Sequence, residues 1–278
     1  MTTGIVDRPL HALTIDVEDY FQVGVFQKRI PLSEWPTFES RVERNTDRIC
    51  EMLAVRGTTA TFFFLGWIAE RFPALIRRVA AAGHEIASHG QGHRPVWTQT
   101  PDEFAADIKK SQHVLGDLLG HAPNTYRAPC FSITKKTLWA LDVLAAEGIQ
   151  FDSSIFPVNH PEYGIPDAER RIHRVRTAKG AVLWEFPMTT GRFLGTNLAF
   201  SGGGWFRLLP YMLTRRALLN VERSGAPFVF YLHPWEIDPS QPRLYDRASA
   251  LGRFRHYLNL KRTEPRFSRL LDEFRVTT

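Results

Sequence analysis

The chain has 278 residues, 44% hydrophobic and 23% charged, enough for a full core and outside the range of disordered or low-complexity proteins. Lys and Arg total 35 against 29 Asp and Glu, a net charge of +6 with no dense basic run, which describes a mixed solvated surface and excludes a nucleic-acid binder. Two cysteines, Cys50 and Cys130, exclude a disulfide framework.

Residues 1–10 carry Asp7 and Arg8 and no apolar signal-type run. The longest apolar stretches, such as 60–68, fall far short of the ~20 residues a membrane helix needs. A soluble, cytoplasmic protein without a transmembrane segment is expected. In chain order, residues 11–15 read as a first strand. Residues 38–55 have helical spacing at Val42, Ile49, Met52 and Leu53, with Cys50 on the core side and Gly57 as the stop. The β-branched and aromatic run 58–65 predicts a buried strand, 69–82 a helix closed by Gly83, and 84–88 a strand.

Thr100-Pro101-Asp102-Glu103 is a capping box with proline in the first turn, predicting a helix to Leu119 that stops at Gly120. Residues 124–127 predict a short strand, 134–147 a helix closed by Gly148, and 149–152 and 181–186 two further strands. Glycines 191, 195, 202, 203 and 204 with Trp205 and Phe206 suggest a mobile aromatic loop over 189–209. A helix from about 208 to 224, a strand at 227–232 and a basic helix in two pieces, 251–260 and 265–274, complete the chain. Alternating strands and helices argue for βα units around a largely parallel sheet, in one domain without repeats or linkers.

Five polar clusters fall at the ends of predicted strands, where ligands bind in parallel α/β folds. They are Asp16-Val17-Glu18-Asp19, His89-Gly90-Gln91-Gly92-His93, Arg127-Ala128-Pro129, Asp152-Ser153-Ser154 and His233-Pro234. His89 and His93 can face one cation if the segment between them turns. By strand alternation Asp16 and Glu18 share a side, so that one completes a two-His, one-carboxylate site while the other takes a proton from water. Three clustered carboxylates are costly to bury unpaired, and a nearby cation is expected. Arg127 is placed to orient a carboxylate, His233 to protonate a leaving amine, and Asp152 either to orient His233 or to cap a turn.

These ordered motifs resemble the NodB-homology polysaccharide deacetylases, carbohydrate esterase family 4, over roughly residues 10–240. The segments Asp16-Val17-Glu18-Asp19-Tyr20-Phe21, Tyr126-Arg127-Ala128-Pro129-Cys130-Phe131-Ser132, Phe151-Asp152-Ser153-Ser154-Ile155-Phe156-Pro157 and Phe230-Tyr231-Leu232-His233-Pro234-Trp235-Glu236 are similar to the branch encoded with bacterial exopolysaccharide and exosortase (PEP-CTERM) loci. Phe254-Arg255-His256-Tyr257-Leu258-Asn259-Leu260 resembles that branch's C-terminal extension.

The resemblance implies a distorted, incomplete (β/α) barrel followed by a C-terminal helical extension, residues ~240–278. It makes Asp16 the base, Arg127 the residue that steadies it, and His233 the acid. His89 and His93 become metal ligands, with Glu18 or Asp19 as the third; alternation favours Glu18. The Cys130 N–H, beside Pro129, falls where the family forms its oxyanion hole. Trp205 and Trp235, with Tyr20 and Phe21, are candidate sugar-stacking residues or plain packing. Two departures stand out: Asp-Val-Glu-Asp replaces the usual adjacent Asp pair, and Gly90 replaces the usual Ser or Thr after the first histidine.

The implied reaction is zinc-assisted removal of an N-acetyl group from a hexosamine of an exopolysaccharide or its precursor. The implied partners are that N-acetylated saccharide and a membrane-bound exopolysaccharide assembly complex, met at the inner membrane. Two rivals use the same residues differently: an amidohydrolase acting on a small or cyclic amide, and a non-catalytic carbohydrate-binding subunit.

Overall fold

The computed structural model describes residues 9–278, so the reading of the first residues, Asp7 and Arg8 included, lies outside the described residues. Strand β1 (His11–Val17) leads by a long irregular segment to helix α1 (Val42–Ala54), then β2 (Thr61–Phe64), α2 (Gly66–Arg71), α3 (Pro73–Ala81) and β3 (Glu85–Ser88). Helix α4 (Pro101–Leu119), β4 (Thr125–Tyr126), α5 (Trp139–Ala146) and β5 (Phe151–Asp152) follow. Next come β6 (His173–Arg176), β7 (Val182–Glu185), the pair β8 (Thr190–Phe193) and β9 (Thr196–Ala199), then α6 (Gly203–Leu208), α7 (Tyr211–Arg223) and β10 (Val229–Leu232). Helices α8 (Ala250–Tyr257) and α9 (Leu260–Glu273) and a short β11 (Val276–Thr277) close the chain.

One sheet runs in the order β10-β1-β2-β3-β4-β5-β7-β6, with β11 added to β1. From β10 to β7 every neighbour is parallel, and β6 joins antiparallel to β7. The sheet curls into a half-barrel with helices packed outside it, the distorted (β/α) barrel expected from the sequence. β1 lies between β10 and β2, and Leu13, Ile15 and Val17 are fully buried in the main core with Phe62, Phe64, Phe228 and Phe230. Parallel pairing brings the carboxyl ends of β10, β1, β2, β3, β4 and β5 to one rim. Among the described residues, no helix is long and apolar enough to cross a membrane.

Local chemistry sets the helix ends. The Thr100 hydroxyl accepts from Glu103 N at 3.2 Å, the Glu103 carboxylate accepts from Thr100 N at 2.8 Å, and Gly120 ends α4 at φ +80°. Elsewhere tertiary contacts overrule the sequence pattern. α1 begins at Val42 and not near residue 38, because Asp19, distant in sequence, caps its first turn. Pro73 splits the single helix expected over 69–82 into α2 and α3. The expected loop over 189–209 contains a paired hairpin, β8–β9, whose turn residues Leu194 and Gly195 both take positive φ, and then α6. α9 starts at Leu260 and runs through Pro265, where a break was expected.

Candidate active site

Asp16 lies one residue before the end of β1, Glu18 one residue after it, His89 just after β3, Arg127 just after β4 and His233 just after β10. The shared rim of the parallel strands thus gathers side chains from Asp16 to His233, more than two hundred positions apart in the chain.

Arg127 is fully buried, and its guanidinium is held on every side. Nε donates to Ser153 O at 3.0 Å and Nη2 to Ser153 Oγ at 2.8 Å. Nη1 donates to Thr14 Oγ1 at 2.8 Å and to Asp16 Oδ1 at 2.6 Å. The Phe63 ring closes one face, 4.3 Å from the guanidinium carbon. With Oδ1 of Asp16 engaged, Oδ2 is the oxygen turned to the rest of the site, 3.9 Å from His233 Nε2.

Glu18, His89 and His93 converge. Their ligand atoms lie within 4.8 Å of one another, forming, among the described residues, the group of His, Cys, Asp and Glu side chains close enough to hold a metal ion. Glu18 Oε1 is 3.1 Å from His89 Nε2 and 2.9 Å from His93 Nε2, with all three residues buried. The Arg127 carbonyl, which can only accept, lies 2.8 Å from His89 Nδ1. Nδ1 therefore carries the proton, and the neutral ring turns a lone pair on Nε2 toward Glu18. Two acceptors facing each other need positive charge between them, so this donor set fits a divalent cation. In the bare protein burial alone would raise the Glu18 pKa, yet the charges of His93 and His233 and the hydrogen bonds that form when Nε2 of each loop histidine is protonated hold it well below the usual carboxylate range.

His233 is oriented from behind. Its Nδ1 is 3.3 Å from Glu236 Oε2, and its backbone N–H donates to the same oxygen at 3.2 Å. Nε2 points back to the rim, 3.9 Å from Glu18 Oε1. Burial would lower the imidazole pKa, but the carboxylates of Glu18, Glu236 and Asp16 outweigh it and raise it to about 9. One wall beside it is aromatic: the Tyr231 ring stands 5.6 Å from His233 and 5.1 Å from Phe131.

Several sequence assignments are corrected. Asp19 does not join the metal cluster: Oδ2 accepts from Ser40 Oγ at 2.7 Å, Arg41 N at 2.8 Å and Val42 N at 3.2 Å, and Oδ1 accepts from Tyr20 N at 3.0 Å. These bonds turn its carboxylate to the start of α1 and spend its acceptor capacity there. Asp152 is not the partner of His233, a place taken by Glu236. It accepts from Ser154 Oγ at 2.5 Å, and beside it on β7 lies Glu185, equally buried. Burial pushes both carboxyls up; the Asp152 charge raises Glu185 further, while the hydrogen bond between them holds Asp152 lower, so that Glu185 is the one that keeps the proton.

Trp235 is buried between the His256 ring, stacked at 4.3 Å, and the Arg207 guanidinium at 4.9 Å, so it offers no face to a sugar. Tyr20 and Phe21 are likewise core residues, each 1% exposed. Trp205 is half-buried against the cluster that holds Phe131, Phe156 and Tyr231. Pro129 opens a tight turn in which Cys130 and Phe131 both take positive φ, +57° and +49°, conformations non-glycine residues rarely adopt.

Glu236, Arg207, Thr14 and Ser153 take roles that no reading of the sequence assigned to them, although Ser153 and Glu236 stand within the quoted motifs. Only Glu236 left a local signal, the i, i+3 spacing of a capping box after His233.

Residues 33–149 match the polysaccharide deacetylase family, and residues 153–278 match a domain of unknown function, DUF3473. The single sheet crosses both stretches. A peptidoglycan-N-acetylglucosamine deacetylase of Bacillus cereus is 31% identical over 120 residues, 39% of this chain and 44% of that protein. The chain thus spans less than half the length of that relative. Among solved structures, a Mycobacterium smegmatis protein described as a polysaccharide deacetylase superposes with TM-score 0.62 at 21% identity, covering 96% of this chain and 85% of that one. Puue allantoinase superposes with TM-score 0.60 at 16% identity, covering 97% and 86%, so the fold by itself does not choose between reactions. The deacetylase match over residues 33–149 and the clustered motif residues together identify a polysaccharide deacetylase domain of the NodB-homology, carbohydrate esterase family 4 type within this chain.

Proposed function

We propose that this protein is a metal-dependent hydrolase that removes N-acetyl groups from hexosamine units of a bacterial exopolysaccharide or its precursor. The observation that carries the reading is the meeting of Asp16, Glu18 and His233 at one point, with Nε2 of His233 3.9 Å from a carboxylate oxygen of each. A base and an acid face each other across the Glu18, His89 and His93 cluster.

When held by Glu18, His89 and His93, a divalent cation, zinc by its nitrogen and oxygen donors, supplies Lewis acidity toward an acetyl carbonyl and a water. Asp16 Oδ2, freed for chemistry because Arg127 occupies Oδ1, takes the proton from the attacking water. The strained turn at Cys130 brings a backbone N–H to the developing oxyanion. His233, protonated while Glu236 fixes its ring, gives its proton to the departing sugar amine. The full set of base, acid and metal ligands favours catalysis over a purely binding role, because a binder has no use for an opposed acid and base.

The motif likeness to the exosortase-locus branch supports an exopolysaccharide, and we infer from it work at the inner face of the membrane beside an assembly complex. A substrate panel tests the class. N-acetylglucosamine oligomers and exopolysaccharide fragments should release acetate, whereas cyclic amides such as hydantoins should not be opened. Turnover confined to the cyclic amides would replace this reading with its amidohydrolase rival.

A further inference from the structure

The last two helices of the chain converge on one buried cation. Arg207, in α6, is 4% exposed, and its Nη1 donates to the carbonyls of Arg255, His256 and Leu258 at 2.9, 2.6 and 3.2 Å. These are the carbonyls that the end of α8 leaves without helical partners. Asn259, at φ +55°, donates from its side chain to Arg207 O at 2.8 Å. From α9, Arg266 Nη1 donates to the carbonyls of Phe206, Arg207 and Leu209 at 3.0, 3.1 and 3.2 Å.

What the clamp presents is the other edge of the guanidinium. Arg207 Nε donates to Glu236 Oε1 at 2.8 Å, while Glu236 Oε2 faces the imidazole of His233. Glu236 is fully buried, and an isolated carboxylate there would be strongly unfavourable. Arg207 compensates that charge and, being planar and held at both edges, also fixes the rotation of the carboxylate. Trp235 is pinned between Arg207 and His256, so the turn that follows His233 is immobilised by the same residues.

We propose that Arg207, clamped by the carbonyls that end α8, is a positioning residue for His233 acting through Glu236, and that α8 and α9 complete the catalytic machinery by holding it. The inference rests on His233 being the proton donor in the proposed deacetylation. It gives a role to the stretch matched to a domain of unknown function, since Arg207, His233, Glu236 and both helices all lie within residues 153–278.

The test compares two leaving groups on the full chain loaded with zinc. A sugar amine must be protonated to depart, whereas the nitrophenolate of 4-nitrophenyl acetate departs without a proton. Arg207→Met should lower kcat for deacetylation of an N-acetylglucosamine oligomer about tenfold or more, with KM unchanged within about twofold. Its turnover of 4-nitrophenyl acetate and its zinc content should match wild type. Arg207→Lys, which keeps the charge without the fork, should recover part of the loss. Should Arg207→Met not fold, Asn259→Gly tolerates the left-handed backbone and removes one strut; it should show the same split on a smaller scale. Equal losses on both substrates, or full amide activity in the variants, overturn the positioning role. Wild type is the reference in the same assay, so its release of acetate upholds the deacetylase reading separately, and a variant equal to it overturns only this inference.

Discussion

Arg127 Nη1 and Asp16 Oδ1 are 2.6 Å apart, both residues buried, and this contact leaves Oδ2 of Asp16 as the oxygen that faces His233. Removing one partner of a buried pair leaves the other uncompensated, at a cost of about 3–5 kcal/mol. Arg127→Met should therefore lower the thermal midpoint and reduce kcat by about a hundredfold or more. Arg127→Lys should recover little, because one ammonium cannot reach Ser153, Thr14 and Asp16 together. Steady-state kinetics with thermal melts check both, and a fully active Arg127→Met enzyme would show that Asp16 needs no such support.

Glu18 and Asp19 are adjacent in sequence and separate in role. Glu18→Gln should lower zinc per chain and abolish acetate release. Asp19→Asn should keep its zinc and lose about 1–2 kcal/mol of stability through the weakened cap of α1. Metal analysis and urea denaturation distinguish them, and the opposite pattern would return the ligand role to Asp19.

A metal held by Glu18, His89 and His93 would also add stability. A ligand bound only by the folded chain adds RT ln(1 + [L]/Kd), about 2.7 kcal/mol at a hundredfold excess over Kd. Chelation should lower the melting temperature and zinc should restore it. His89→Ala should melt at the same temperature with or without zinc.

The Asp152 and Glu185 pair sets a pH dependence of stability. Burial pushes Asp152 up to about 6, and burial with the neighbouring Asp152 charge pushes Glu185 well up, both above the ~4 of an unfolded carboxyl. The folded chain thus binds more protons than the unfolded one. The pair's contribution is fully present below about pH 4 and is lost as pH rises through the raised folded values. Glu185→Gln removes one of the two titrating carboxyls while keeping the shape, so melts between pH 5 and 8 should flatten in part in the variant. An unchanged slope would mean that the pair does not titrate in this window.

Legibility in the sequence followed the range of the interactions. Strand ends could be read because a buried parallel strand is a local apolar run, and Asp16, Glu18, His89, Arg127 and His233, at or just past such runs, reached the rim. Glu18 was favoured over Asp19 by alternation alone, and the geometry agrees with that choice. What sequence could not show were partners set by packing across the chain. The cap that Asp19 places on α1, the exchange of Asp152 for Glu236 behind His233, and the clamp on Arg207 join residues far apart in sequence or hidden by ordinary types. Trp235 misled for a related reason: an aromatic after a site histidine looks the same whether it faces sugar or core.

Acetate release tests the central claim most directly. Purified protein is incubated with N-acetylglucosamine oligomers and with exopolysaccharide fragments, as isolated, after chelation, and after zinc is returned. The account predicts acetate in the first state, none in the second and recovery in the third, with Asp16→Asn silent throughout. Protein fully loaded with zinc that frees no acetate from any of these sugars would contradict it.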